Sequence, residues 1–283
     1  MLKEYAVDPA IVGDFSNLRQ IANLFDFSNP RRISRFPKRW ERMVYEAAAP
    51  LGDMNAKRVE EKLKQFKGSK SCLCGFGRDY DSAKNWVDNA LESNSAKPFS
   101  AIICESDANN CVKMDDLEDT HTLLAAQNSQ QITKSLQNYK NLFDGIFVSV
   151  KNICIVDPYF STYENKSKKL YAHWFKLLND RPDAASVNLF IISSADRHGG
   201  PYSLGQESTL ISQAQQVYAN NQALKFNIRA KLVPHNDDMH DRFIITDIAA
   251  FSISSSLIID TSTMMVHMIT KADADGLFLR FDQ

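Results

Sequence analysis

His240 and Arg242 stand two residues apart in the stretch "NDDMHDRFIITD" (236–247), so a strand carrying them projects an imidazole and a guanidinium from one face. An imidazole titrates near neutrality and serves as nucleophile or acid/base, and a fixed cation neutralises charge that builds on phosphorus. Arginine adds bidentate geometry to that second role but keeps its proton. A second strand, "ICIVDPYF", ends in Asp157, Pro158 and Tyr159. Asp157 has two readings: a cap for the turn made by Pro158, or a partner that orients His240 or pairs with Arg242. The loop "SSADRHGGPYS" adds Arg197 and His198 beside Gly199-Gly200, where a backbone can approach a ligand closely. His235, Asp237, Asp238 and His240 could be taken for a metal cluster. Adjacent aspartates on an extended strand cannot both face one ion, so neither a metal nor a cofactor is expected.

These groups need strand ends to hold them, and the second half of the chain supplies a pattern for that. From about residue 129, "ITKSLQNYKNLFDGIFVSV" places Leu136, Tyr139, Phe143, Ile146, Phe147 and Val150 at helical spacing. After "ICIVDPYF" come a helix at 165–179, a strand in "SVNLFIISS", a helix at 206–219, and strands in "FNIRAKLV", "HDRFIIT" and "AFSISSSLII". Such alternation predicts an α/β fold, a mixed sheet flanked by helices, with polar residues at its strand ends forming the site. Residues from about 15 to 95 read as mainly helical, around "FSNLRQIANLFDF", "KRWERMVYEAA" and "NAKRVEEKLKQF", with a strand in "FSAIICE". The acidic, aperiodic "SDANNCVKMDDLEDTHT" marks a boundary. The expected domains are therefore 1–122, a mainly helical α+β half, and 123–283.

A formal net charge of -1 gives no global attraction for nucleic acid or acidic membrane, so any such binding must come from a local patch. "RRISRFPKRWERM" is one candidate, with six basic residues against one acid and with Phe36 and Trp40 among them. Arg35 and Arg39 there suit backbone contacts to nucleic acid with aromatic stacking. The competing reading is a helix with Trp40, Met43 and Val44 in the core and its cations solvated. Five cysteines, odd in number and irregularly spaced, read as reduced thiols of a cytoplasmic protein. Cys72, Cys74, Cys104 and Cys111 lack the paired knuckles of a structural zinc site. Gly75 and Gly77 mark a turn rather than a nucleotide loop. The first residues carry no apolar signal region, and no window has the length of a transmembrane segment.

His240, Arg242 and Asp247 have the spacing H-x-R-x4-D, which resembles the H-x-K-x4-D signature of the phospholipase D superfamily with arginine in the lysine position. Ser254-Ser255 follow where that family has Gly-Ser, and Ile258 stands where Asn is common. The "DPYF" strand end followed by "HDR" is also similar to the phospholipase D-like C-terminal domain of MIT-domain proteins. The resemblance spans roughly 130–260 and implies a phospholipase D-like fold for the C-terminal half. In catalytic members the motif histidine attacks phosphorus to give a phosphohistidine, a second histidine protonates the leaving oxygen, and no metal takes part.

This chain has a single such motif; His121, His173, His198, His235 and His267 lie in no second one. A two-histidine site then requires a homodimer, or recruitment of His198 or His235. The implied activity is a phosphodiesterase, foremost a nuclease. His240 is its nucleophile or acid, Arg242 its phosphate clamp, Asp157 its orienting group and Asp247 a support. Ser255, Tyr159, Arg197 and His198 line the pocket, with Arg35 and Arg39 contributing from the N-terminal half. The MIT-associated relatives imply an alternative: a module without turnover that dimerises and binds nucleic acid, phospholipid head groups or a protein. A third reading is a subunit working beside an ATPase or helicase in bacterial antiviral defence.

Overall fold

The structure, a computed structural model, describes residues 2–69, 73–75, 77–118, 121–161, 165–195, 202–218, 223–234 and 241–282. It divides into two compact units, Met1–Asn128 and Ser129–Gln283. The boundary expected at 122/123 falls too early, because Leu124 is fully buried in the first core and its carbonyl accepts from Arg31 Nε at 2.9 Å.

The first unit holds a five-stranded sheet in the order β3-β2-β1-β4-β5, all parallel. Its strands are β1 (Lys3–Val7), β2 (Arg31–Ser34), β3 (Leu73–Cys74), β4 (Ala101–Ile103) and β5 (Cys111–Val112). The helices are α1 (Pro9–Val12), α2 (Phe15–Leu24), α3 (Trp40–Ala48), α4 (Asp53–Ser69) and α5 (Trp86–Ala96). Helices predominate over 15–95, as expected, but the parallel sheet they cover went unread. A parallel sheet covered by helices buries both faces, so its strands lack alternation, and here the longest has only five residues. Two tryptophans tie helix to strand: Trp40 Nε1 donates to the Val7 carbonyl at 2.6 Å and Trp86 Nε1 to that of Phe36 at 2.8 Å.

The second unit is a seven-stranded mixed sheet, ordered β6-β12-β11-β10-β7-β8-β9. Its strands are β6 (Ser129–Thr133), β7 (Asn152–Val156), β8 (Asn188–Ala195), β9 (Asn227–Pro234), β10 (Arg242–Thr246), β11 (Ala250–Ile253) and β12 (Thr263–Met268). β7, β8 and β9 run parallel, while the other pairs are antiparallel. The segment expected as one helix from about 129 begins as β6. Ser135 then caps α6 (Leu136–Tyr139), which continues through a π-helical turn at Lys140–Asp144 into α7 (Gly145–Phe147). The remaining helices are α8 (Asn165–Asn179), α9 (Glu207–Tyr218) and α10 (Lys271–Asp282). Phe143 bridges helix and sheet, meeting Trp174 of α8 at 5.8 Å and Phe251 of β11 at 5.5 Å, both edge-on. The aromatic layer so formed covers one face of the sheet. Among the described residues, no helix is long and apolar enough to cross a membrane.

Candidate functional site

Strand register decides which side chains share an edge. β10 runs antiparallel to β7 from Phe243 opposite Val156 to Thr246 opposite Ile153, so the next step places Arg242 opposite Asp157. β7 and β8 pair Val156 with Ile192, and the Asp157 N–H donates to the Ile192 carbonyl, so Ser193 follows beside Asp157. On the other side Arg242 faces Ile253 of β11, whose continuation carries Ser255. Paired residues project to the same face. Arg242, Asp157 and Ser193 therefore form a polar row at the carboxyl edge of β7 and β8, the edge where open α/β sheets take ligands.

The row is well buried. Arg242 Nε lies 3.9 Å from Asp157 Oδ1, with side chains only 13% and 3% exposed, and its guanidinium stacks 4.7 Å from the centre of the Tyr159 ring. Both readings of Asp157 hold together: Oδ1 accepts from the Tyr159 N–H at 3.0 Å, capping the turn, and also meets the arginine. Oδ2 accepts from the Tyr171 hydroxyl at 2.8 Å. Burial pushes the Tyr171 phenol well up from its ordinary pKa, and the neighbouring Asp157 carboxylate adds to that, so Tyr171 stays a donor. Ser193 is 1% exposed, and its hydroxyl has no partner among the described residues.

A second polar group lies along the same edge. Lys134, just past β6, is buried; its ammonium donates to Ser255 Oγ at 3.1 Å and lies 3.2 Å from Asp260 Oδ2. Asp260 is held below the usual carboxylate range first by the Ser262 hydroxyl, with the Ser262 N–H and Lys134 adding to it. Tyr139 connects the two groups. Its hydroxyl donates to the Ile258 carbonyl at 3.0 Å, and burial, then Asp260, then Asp157 raise its pKa. No sequence pattern singled out Lys134, Asp260, Tyr171 or Ser193. The only available signal was Lys134 two residues after Ile132, which puts a cation on the inward face of a strand.

Asp247 is corrected from a site residue to a structural one. It lies just past the far end of β10, where its carboxylate accepts from the backbone N–H groups of Lys151 and Asn152 at 2.8 and 2.9 Å and from Asn152 Nδ2 at 2.8 Å. Four strand residues, Phe243 to Thr246, separate it from Arg242. Arg35 and Arg39 lie in the first unit, exposed in the turn between β2 and α3, with Arg35 3.4 Å from Glu41. The rest of the basic segment divides: Arg31 and Arg32 are buried in β2, and Trp40 and Val44 lie in the core. His240, Arg197, His198, Gly199 and Gly200 lie outside the described residues.

Among the described residues no group of three His, Cys, Asp or Glu side chains could hold a metal ion. Cys74, Cys104, Cys111 and Cys154 are free thiols. Comparison with known proteins finds no matching family model, no matching curated protein and no matching solved structure. The fold and site define a two-unit α/β protein whose second sheet carries a buried, cation-bearing carboxyl edge.

Proposed function

We propose that the carboxyl edge of the second sheet is a phosphoryl site, and that the protein is a metal-independent phosphodiesterase of the phospholipase D-like kind, foremost a nuclease. The observation that carries this reading is the meeting of Arg242 with Asp157, far apart in sequence, at one sheet edge, with the guanidinium set on Tyr159. An arginine fixed by an aromatic face and a carboxylate is pre-organised to receive a phosphoryl oxygen. His240, two residues before Arg242, supplies the nucleophile, and a second copy of the chain supplies the other histidine. The Tyr171 hydroxyl and the Tyr159 N–H both donate to Asp157 and fix it beside the arginine.

The test is cleavage of labelled single- and double-stranded nucleic acid in EDTA. Activity persists without divalent metal, His240→Ala lowers it by about 10²–10⁴-fold, and Arg242→Ala weakens substrate binding. Strict metal dependence refutes the mechanism. A second reading, anion binding without turnover, draws on Asp157 being already engaged by Tyr171, Tyr159 and Arg242. Binding that Arg242→Ala abolishes, with no cleavage by the parent protein, selects it.

A further inference from the structure

We propose that Lys134 and Ser255 form a second phosphate subsite beside Arg242, so that the edge grips a nucleic-acid strand through two neighbouring phosphates. The inference rests on the phosphoryl-site reading and adds the substrate class: a polymer of phosphodiesters rather than a compound with one phosphate.

An ammonium has three donors. Lys134 uses one on Ser255 Oγ and one on Asp260 Oδ2, and the third has no partner among the described residues. Ser255 accepts from that lysine, its own O–H has no partner among the described residues, and the residue is half-exposed at the sheet edge. A lysine only 6% exposed is costly to bury with a donor unspent. Asp260 is its counter-ion, and that carboxylate is shared: Oδ1 also accepts from the Ser262 N–H at 2.8 Å and hydroxyl at 2.6 Å, and the side chain is 21% exposed to water.

Position supplies the rest. Ser255 lies on the continuation of β11, two residues past Ile253, the neighbour of Arg242. Diagonal neighbours on adjacent antiparallel strands are about 7–8 Å apart. Successive phosphates on a strand can occupy the two places. The two cation groups are near enough that the Asp157 and Asp260 carboxylates both act on Tyr139. On the far flank the buried Ser193 hydroxyl, without a partner among the described residues, adds one more donor to the same edge.

The experiment uses the full chain and measures binding of a fluorescein-labelled single-stranded oligonucleotide across a salt series. A dinucleoside monophosphate and a trinucleoside diphosphate serve as unlabelled competitors. The parent protein prefers the competitor with two phosphates. Lys134→Met abolishes that preference, weakens the oligonucleotide about tenfold, and reduces the log–log salt slope by about 0.7. Ser255→Ala acts in the same direction, about two- to fivefold, on a half-exposed residue whose truncation spares the fold. Asp260→Asn separates recognition from a structural role: the amide oxygen still accepts from Ser262, the competing charge is gone, and oligonucleotide binding tightens. A structural Lys134–Asp260 pair gives no such gain, so unchanged or weakened binding in Asp260→Asn overturns the proposal. Equal loss of both competitors in Lys134→Met overturns it, and so does binding to phosphoinositide vesicles without binding to the oligonucleotide. Arg242→Ala keeps the two levels apart. If it leaves every probe unaffected, the phosphoryl-site reading itself fails; if it weakens all of them while Lys134→Met changes nothing, only the second subsite fails.

Discussion

The two sheets of this protein each bury arginine, to opposite ends. In the first, Arg32 is fully buried and its guanidinium donates to the carbonyls of Asp26, Phe27, Asn29 and Arg31, so it stitches the loop before β2. Arg78 there makes a two-pronged pair with Glu4 at 2.9 and 2.7 Å and lies over the Phe99 ring at 3.5 Å. In the second sheet, Arg242 meets its carboxylate at 3.9 Å, and among the described residues Lys134 has partners for two of its three donors. Buried charge alone therefore does not mark a site. The first edge spends its guanidinium donors on the fold, while the second sets two cations on one face with a buried hydroxyl, Ser193, that has no partner among the described residues.

The strongest way to break this contrast is Arg32→Met. It strands several buried carbonyls, each worth about 1–3 kcal/mol when unsatisfied, so denaturant unfolding should show a loss of roughly 3 kcal/mol or more. Oligonucleotide affinity of the folded fraction should not change; a specific loss of affinity would dissolve the distinction between the edges.

Next in size is Tyr171→Phe, which removes the hydroxyl from Asp157. A hydrogen bond to a charged group is worth about 1.5–3 kcal/mol, and the arginine it helps to place should bind anions more weakly. The same variant sharpens the pH behaviour. A phenol whose pKa is raised by folding contributes stability that is complete below the ordinary tyrosine value of 10.0 and is lost as pH rises through the folded one. The second unit should therefore soften in alkali, and less steeply in Tyr171→Phe, as alkaline titration followed by circular dichroism can show.

Asp8→Asn probes the first sheet's edge with a smaller effect. Burial first, and the charge of Glu105 after a lowering bond from Ala10, leave the Asp8 pKa raised, so its ionised form weighs against the fold as pH climbs from the acid side. Asparagine keeps the 2.9 Å bond from the Ala10 N–H and drops the charge. Thermal unfolding at neutral pH should shift slightly upward, with the gain vanishing in acid. Smallest of all, Arg42→Ala removes an exposed i,i+4 pair with Glu46 and should change stability by under about 0.5 kcal/mol.

What the sequence revealed follows the same division. The strands of the second sheet show because β7, β8 and β10 are β-branched runs long enough to stand out, and their polar ends announced Asp157 and Arg242. The first sheet hid because β3 and β5 have two residues each, and because "RRIS" looks like a solvated basic run when both arginines are buried. β12 lay in "TMMVHM", where methionine and histidine dilute the strand signal. Lys134 and Asp260 were invisible for a different reason. A lone lysine in "ITKS" carries no spacing rule, and its burial depends on β6 pairing with β12, more than a hundred residues away.

Asp247 has a consequence that reaches beyond its own corner. By clasping the N–H groups of Lys151 and Asn152, it pins the strand bearing Arg242 against the strand bearing Asp157 at one fixed offset. A slip of a single residue would turn Arg242 to the opposite side of the sheet. The last acid of the H-x-R-x4-D pattern then works like the stop on a sliding rule. Standing apart from the polar row, it determines whether the guanidinium and its carboxylate meet at all.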